Sequence, residues 1–434
     1  MPEVAELSEA ISERIPQTGP EERPEKHPLG PLKVVHAFWL AGMSCDGCSI
    51  AVVGAMDPPI ENLLRGTVAG LPKVELHHTV LSVESGEEFV HSYELAEKGE
   101  LGVPYVVIYE GSIADERIAA ATGGYFSAMG AEKMGKNANG DEINRPIPTS
   151  EWLKRLAPGA AAVIAIGTCA TWGGIPAAAG NPTGSMSLMD FLGRDYRSAF
   201  GLPVINIPGC SPVGDNFTET VALVLLFLQG LAPLPEFDEL GRPAWLFSET
   251  VHQRCVRAGF YEEGTFAKEY GDHECLVEVG CWGPVVQCNI TSRGAINHMG
   301  GCMNTGGICI GCTMPGFPDR FAPFYVKPPG TIVSSNMSRT YGAVIRRLRR
   351  ITQEFNNHEV RWSWQGEVPS GWGDLPKPGW LHRGVHYFYE KWQHLGTHAP
   401  GRKGDDSKYP SVKRPDASKP VYGGRVTTFR EDKN

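Results

Sequence analysis

Eleven cysteines are distributed along a chain of 434 residues, and their spacing sorts them into sets that suit metal chemistry. Cys45 and Cys48 form a C-x-x-C pair, and Cys169 and Cys210 complete a first set of four thiolates. His252, Cys255, Cys275 and Cys281 form a second set of one imidazole and three thiolates. Cys288, Cys302, Cys309 and Cys312 form a third, ending in Cys-Ile-Gly-Cys, which puts two thiolates on one turn. Thiolates are soft donors for zinc or iron–sulfur clusters. A Cys3His set serves either, and spacing alone does not separate them. No thiol is left over and no other cofactor motif is evident. Three centres in one chain favour an electron relay over three structural zinc sites, or over buried cysteines acting as small hydrophobes.

The elements around these residues must bring distant cysteines together. Residues 33–41, 103–109, 162–166 and 202–207 are Val/Ile-rich runs, as expected of strands buried on both faces of a parallel sheet. Each precedes a glycine-containing turn: Gly42 to Cys48, Glu110 to Ile113, Gly167 to Cys169 and Pro208 to Cys210. Sites in open α/β sheets lie beyond the carboxyl ends of the strands, so the first cysteine set is expected along one sheet edge. Helices are expected over 150–156, capped by Ser150, and over 215–229, capped by Asp215 or Asn216. Strand–helix alternation predicts an open α/β domain over about residues 31–235. Residues 252–312 hold seven cysteines among many glycines, which reads as a small region organised by metal. Val344, Ile345, Leu348, Ile351 and Phe355 predict an amphipathic helix over 338–355. Trp362, Trp364, Trp372, Trp380 and Trp392 then mark an aromatic-rich tail that must pack on its own domain or on a partner.

Composition removes several function classes. Net charge is −9, which argues against a nucleic-acid-binding surface, and the basic run Arg346, Arg347, Arg349, Arg350 reads as a solvated helix face. No apolar run approaches the ~20 residues of a transmembrane helix. Residues 1–30 are polar and acidic, without the apolar core of a secretory signal or a twin-arginine start. The cytosol is therefore expected, with peripheral membrane contact only through a partner. Cysteines there serve metals better than structural disulfides.

The ordered motifs CDGC (45–48), EGSI (110–113), GTCA (167–170), PGCSP (208–212), HxxC (252–255), GCWGP (280–284) and CIGC followed by PGF (309–317) resemble the small subunit of a [NiFe]-hydrogenase. The resemblance runs over residues 33–318 and is strongest to the actinobacterial-type branch, which is soluble, oxygen-tolerant and of high affinity. A polar segment is expected over 1–30, and the resemblance implies a flavodoxin-like open parallel-sheet domain over 31–240. A loop-rich cluster domain over 241–325 and a C-terminal extension over 326–434 follow. It also implies a proximal [4Fe–4S] cluster on Cys45, Cys48, Cys169 and Cys210, facing a [NiFe] centre on a separate large subunit. His252, Cys255, Cys275 and Cys281 match the distal [4Fe–4S] cluster. Cys288, Cys309 and Cys312 match the medial cluster, [3Fe–4S] in most relatives.

Three departures carry their own expectations. Cys302 is an additional thiol beside the medial set, so a medial [4Fe–4S] cluster is expected, with [3Fe–4S] as the alternative. Asp46 could replace a proximal thiolate or simply cap a helix. The proximal loop lacks the two extra cysteines of membrane-bound oxygen-tolerant relatives, so oxygen tolerance cannot come from that device. Glu110 is expected either in a proton or electrostatic role or capping backbone amides. His36, His77 and His78 are expected in packing or at the surface. Hydrogen cleavage is assigned to the partner chain, so no catalytic residue is expected here. Electrons pass through three clusters to an acceptor the sequence does not identify, and pairing of heterodimers is expected. The rivals are a quinone-reductase subunit of the complex I type, and a zinc-scaffolded assembly protein.

Overall fold

A computed structural model of the chain describes residues 32–82, 84–328, 330–356 and Trp380; beyond Val344, only the Arg347 and Trp380 side chains are described. The expected segment 1–30, the other tail tryptophans and the side chains of Ile345, Arg346, Leu348, Arg349, Arg350, Ile351 and Phe355 lie outside the described residues. Arg347 is exposed, as its helix-face reading requires.

Strands β1 (Val34–Ala41), β2 (Lys73–His78), β3 (Tyr105–Glu110), β6 (Ala162–Ile166) and β7 (Ile205–Ile207) form one parallel sheet in the order β2-β1-β3-β6-β7. Counted within the sheet, this is the flavodoxin-like 2-1-3-4-5 order. The helices that position the sites are α1 (Gly47–Val53), α2 (Gly86–Lys98), α3 (Thr149–Leu156), α4 (Gly167–Trp172), α5 (Gly214–Leu228) and α6 (Thr331–Asn356). Phe38 and Leu40 of β1 enter a core layer with Tyr93 of α2 and Trp152 of α3. Val35, Ala37 and Trp39 enter the opposite layer with Val52 of α1 and Phe217 of α5. Burial on both faces explains why the strand reads as one apolar run. Each fully buried large apolar side chain contributes ~1.5–3 kcal/mol.

Three strands escape the sequence reading. β2 (KVELHH) is an edge strand with a polar sequence. β4 (Ala128–Lys136) and β5 (Glu142–Pro148) form a separate antiparallel hairpin, mostly exposed, so neither buries an apolar face that would write a pattern. Two capping expectations are corrected. Helix α3 starts at Thr149 behind Pro148, and Ser150 is buried in its first turn instead of capping it. Helix α5 starts at Gly214 behind Val213; neither Asp215 nor Asn216 caps it. The Asp215 carboxylate instead accepts from the amides of Met56 and Asp57 at 2.7 and 3.0 Å, fastening the loop after α1.

The cysteine-rich region has a separate core of Val251, Leu276, Trp282, Met314, Phe317 and Phe321, with Cys281 and Cys309 among them. Its regular structure is limited to turns such as Val251–Arg254, Ala258–Glu262, Leu276–Val279 and Ile290–Arg293. Helix α6 begins seven residues before the expected Ser338, because Thr331 and Ser335 are buried. Arg339 of α6 binds Glu278 at 2.6 Å and lies over the Phe266 ring. Among the described residues, no helix is long and apolar enough to cross a membrane.

Candidate metal centres

The strand ends deliver the first set as expected. Cys45 and Cys48 follow β1, Cys169 lies in α4 directly after β6, and Cys210 follows β7. Burial, then Glu110, then the three other thiols push the Cys48 thiol well above its usual range. Burial, then Cys210, Cys45 and Glu110, push Cys169 up to about 12. Two glycines keep space around the sulfurs. A Cβ at Gly174 would lie 2.7 Å from Cys169 Sγ, and one at Gly167, whose φ is +82°, would collide with Cys48 Sγ. Cys45 and Cys210 are exposed and Cys48 is buried, so the set opens outward.

Glu110 is buried below this set, 1% exposed. Its carboxylate accepts from the amides of Cys48 and Ser49 at 3.1 and 3.3 Å and from Trp39 Nε1 at 3.0 Å. Ser49 Oγ donates to it as well. Glu110 therefore caps the start of α1, where a carboxylate also complements the helix dipole. His78 Nδ1 accepts from the amides of Val80 and Leu81, which places its proton on Nε2, facing Ser49 Oγ at 2.8 Å. His77 lies 2.7 Å from His36 Nδ1 and 3.2 Å from Glu84. His77 and His78 are buried packing residues, not surface ones, because β2 carries them between the sheet and its neighbours. Asp46 occupies the position before α1 with φ 60°; its carboxylate is exposed and makes no capping bond.

The second set lines one pocket: His252, Cys255, Cys275 and Cys281. A capping box between Thr250 and Gln253 shapes the turn that carries His252. Burial pushes His252 down to about 4, so its ring is neutral at physiological pH and free to bind metal. Cys281 Sγ accepts from the amides of Gly283 and Cys309 at 3.4 and 3.3 Å.

In the third set burial raises every thiol; Cys281, then Cys312 and Cys288, raise Cys309 further, Cys288 then Cys302 raise Cys312, and Cys302 raises Cys288. Burial pushes Cys288 up to about 12. The extra thiol, Cys302, is exposed and acts on Cys288 and Cys312, and also on Cys281 of the second set. The Thr168 hydroxyl on the Cys312 carbonyl joins the first set to the third. The Cys309 amide on Cys281 Sγ joins the third to the second. Thr168, which sequence reasoning missed, accepts from Gly209 N at 3.0 Å and donates to the Cys312 carbonyl. Trp172 Nε1 donates to the Thr313 carbonyl at 3.1 Å. The only sequence signal for Thr168 was its place inside GTCA.

Thiols this buried stay protonated unless a cation offsets their charge, so binding a cationic metal core must release protons. Among the described residues, no three His, Cys, Asp or Glu side chains converge around a single ion. A multi-iron cluster instead takes each ligand on a different iron, and four soft donors per set fit that arrangement.

Comparisons with known proteins agree with this geometry. The family model for the C-terminal region of the NiFe/NiFeSe hydrogenase small subunit matches residues 247–325. The model for the NADH ubiquinone oxidoreductase 20 kDa subunit matches residues 45–224, which hold the first set and every strand of the sheet except β1. The quinone-reductase reading is therefore not favoured, since the later cysteines match the hydrogenase model. The chain is 32% identical to the periplasmic [NiFeSe] hydrogenase small subunit of Desulfomicrobium baculatum, covering 68% of this chain and 88% of the relative. It is 32% identical to the hydrogenase-2 small chain of Escherichia coli K12, over 64% of this chain and 67% of that one. The actinobacterial-type NiFe-hydrogenase of Ralstonia eutropha H16 superposes with TM-score 0.69 at 47% identity, covering 81% of this chain and 96% of that one. With the ordered cysteine sets and the parallel sheet, these likenesses show that the chain belongs to the small-subunit family of the [NiFe] and [NiFeSe] hydrogenases, the electron-transferring subunits of that heterodimeric enzyme.

Proposed function

We propose that the three donor sets hold three iron–sulfur clusters in a line. The proximal [4Fe–4S] ligands are Cys45, Cys48, Cys169 and Cys210. The medial [4Fe–4S] ligands are Cys288, Cys302, Cys309 and Cys312, and the distal [4Fe–4S] ligands are His252, Cys255, Cys275 and Cys281. When bound, such clusters supply reversible one-electron redox centres. The observation that carries this reading is the pair of hydrogen bonds linking neighbouring sets, from Thr168 Oγ1, next to Cys169, to the Cys312 carbonyl and from Cys309 N–H to Cys281 Sγ. The protein's own contribution is to bury the donors, aim amides at the sulfurs and keep the sets adjacent. Asp46 is a further oxygen donor beside the proximal set, and an unchanged proximal spectrum in D46A would remove it from the ligand list.

The [NiFe] centre belongs on a large subunit seated over the exposed Cys45 and Cys210. Exposed Ile50, Val53 and Met56 of α1 and its following turn continue the apolar surface there. A Cβ at Gly54 would lie 3.2 Å from Ile296, which extends the same patch. Exposed contiguous apolar surface of this kind marks an interface. Electrons from hydrogen oxidation then leave at the distal site, where the neutral His252 ligand lowers cluster charge. A dimer of heterodimers, the cytosol and an oxygen-tolerant, high-affinity activity are further parts of this proposal. All eleven cysteines are free of disulfides, which suits a reducing compartment, although relatives named above include a periplasmic one.

Anaerobic co-purification tests the whole. The expected complex contains a nickel-bearing partner and about twelve iron atoms for this chain, four for each cluster, and reduces dye with hydrogen. I50E is expected to release the partner while leaving iron content unchanged. Stoichiometric zinc in place of iron would overturn the reading, and cell fractionation would settle the compartment.

A further inference from the structure

Arg242 is completely buried, 0% exposed, and none of the donor sets contains it. Asp238 Oδ2 lies 2.8 Å from its Nε. Its terminal nitrogens meet Gln287 Oε1 and, at 3.6 Å, Met314 Sδ. The Phe247 ring closes another side, its centroid 5.1 Å from the guanidinium carbon. Gln287 immediately precedes Cys288, and Met314 lies just after Cys312. Thr313 Oγ1 also donates to the Gln287 carbonyl at 2.7 Å, tying these two segments together. The cation is thus keyed to both chain segments that carry the medial donors.

A guanidinium stays charged under all physiological conditions. Burying it is costly, and an apolar residue of similar volume would serve packing as well or better. Cys288, Cys309 and Cys312 lie in or against the apolar core and Cys302 adds a fourth thiol at an exposed position, so added negative charge there is unfavourable. Asp238 also accepts from the amides of Leu240 and Arg242 at 2.9 Å, which anchors the carboxylate in its own turn.

Resting on the medial ligand assignment above, we propose that Arg242 sets the reduction potential of the medial cluster. Its fixed positive charge favours the reduced form, offsetting the fourth thiolate, and Asp238 holds it in place and tempers its field. Arg242 touches no reacting atom; it acts through the medial donors and is a positioning and electrostatic residue.

Potentiometric EPR titration of the anaerobic heterodimer tests this. R242Q is expected to lower the medial midpoint, by on the order of tenfold in the reduced-to-oxidised ratio at fixed potential, or about 59 mV for one electron. D238N keeps an acceptor for Nε but loses the negative charge, so it is expected to raise the midpoint. R242K is expected to stay near the wild-type value. A merely structural role would shift R242Q and D238N in the same direction, and that result, or no shift in either, overturns the inference. Should R242Q fail to assemble, D238N and R242K still decide by sign and by rescue. A wild-type complex with proximal and distal signals but no medial one would overturn the ligand assignment instead.

Discussion

Cys169 follows a five-residue strand whose every residue is buried, paired on both sides within the sheet. Cys281 follows a four-residue 3-10 turn and Gly280. The first cysteine set is aimed by strand ends whose positions the sheet ladders dictate. The second and third sets are aimed by short turns, a small separate core, and side-chain clamps such as Thr313 on Gln287. A site built on a sheet edge exists before its metal arrives. A site built from turns is held by scattered backbone hydrogen bonds and no continuous ladder, so there the metal becomes part of the fold.

The largest expected effect tests that contrast. Anaerobic removal of iron by a strong chelator should abolish hydrogen-exchange protection across residues 247–325. Strands β1, β3 and β6 should stay protected. The contrast breaks if both regions lose protection together, or if the cysteine-rich region keeps it.

Glu110 gives the next largest effect, now inside the sheet region. E110Q retains one acceptor oxygen for donors that the carboxylate satisfies with two. At least one buried donor among Trp39 Nε1, the Cys48 and Ser49 amides and Ser49 Oγ loses its partner. The expected cost is ~1.5–3 kcal/mol of stability, typical of hydrogen bonds to a charged group. The proximal EPR signal should shift while the medial and distal signals do not. A shift in all three would mean the two regions are not separable in this way.

The contrast also explains what was legible in the sequence. Strands β1, β3 and β6 announced themselves because burial on both faces demands continuous apolar runs. The cysteine grouping was legible because C-x-x-C and H-x-x-C spacings put donors on one turn. β2 was hidden because an edge strand tolerates polar residues such as Glu75, and the β4–β5 hairpin because it buries little. Ser150 and Asp215 have the right chemistry for helix caps. Yet Pro148 directs the chain into α3, and Asp215 is drawn to the Met56 and Asp57 amides. Thr168 and Arg242 were unreadable for a different reason. Their links to the cysteine sets run to residues more than forty positions away, which no local pattern encodes.

Thr168 probes the seam between the two regions. T168V keeps the volume but leaves the Gly209 amide and the Cys312 carbonyl without the hydroxyl. The expected cost is ~1–2 kcal/mol, with weakened magnetic interaction between the proximal and medial signals. T168S should restore that interaction. If T168V loses stability without changing the interaction, the hydroxyl serves packing alone and the seam is set by the backbone.

The smallest effect belongs to the hairpin side of the sheet region. Glu151 of α3 accepts both terminal nitrogens of Arg145, at 2.8 and 2.9 Å, and also binds Arg155. Arg145 foremost, then Arg155, hold its carboxyl down to about 2 against the partial burial that opposes them. A carboxyl lowered on folding adds stability above its unfolded value near 4.5, and loses it as pH falls toward about 2. After solvent screening of a partly exposed pair, the contribution is on the order of 1 kcal/mol. E151Q should therefore remove part of the acid-dependent loss of hydrogen-exchange protection over residues 142–156, and leave residues 247–325 with the wild-type profile. An identical acid profile in the two proteins over 142–156 would show that Glu132, the other carboxylate on Arg145, carries the hairpin without it.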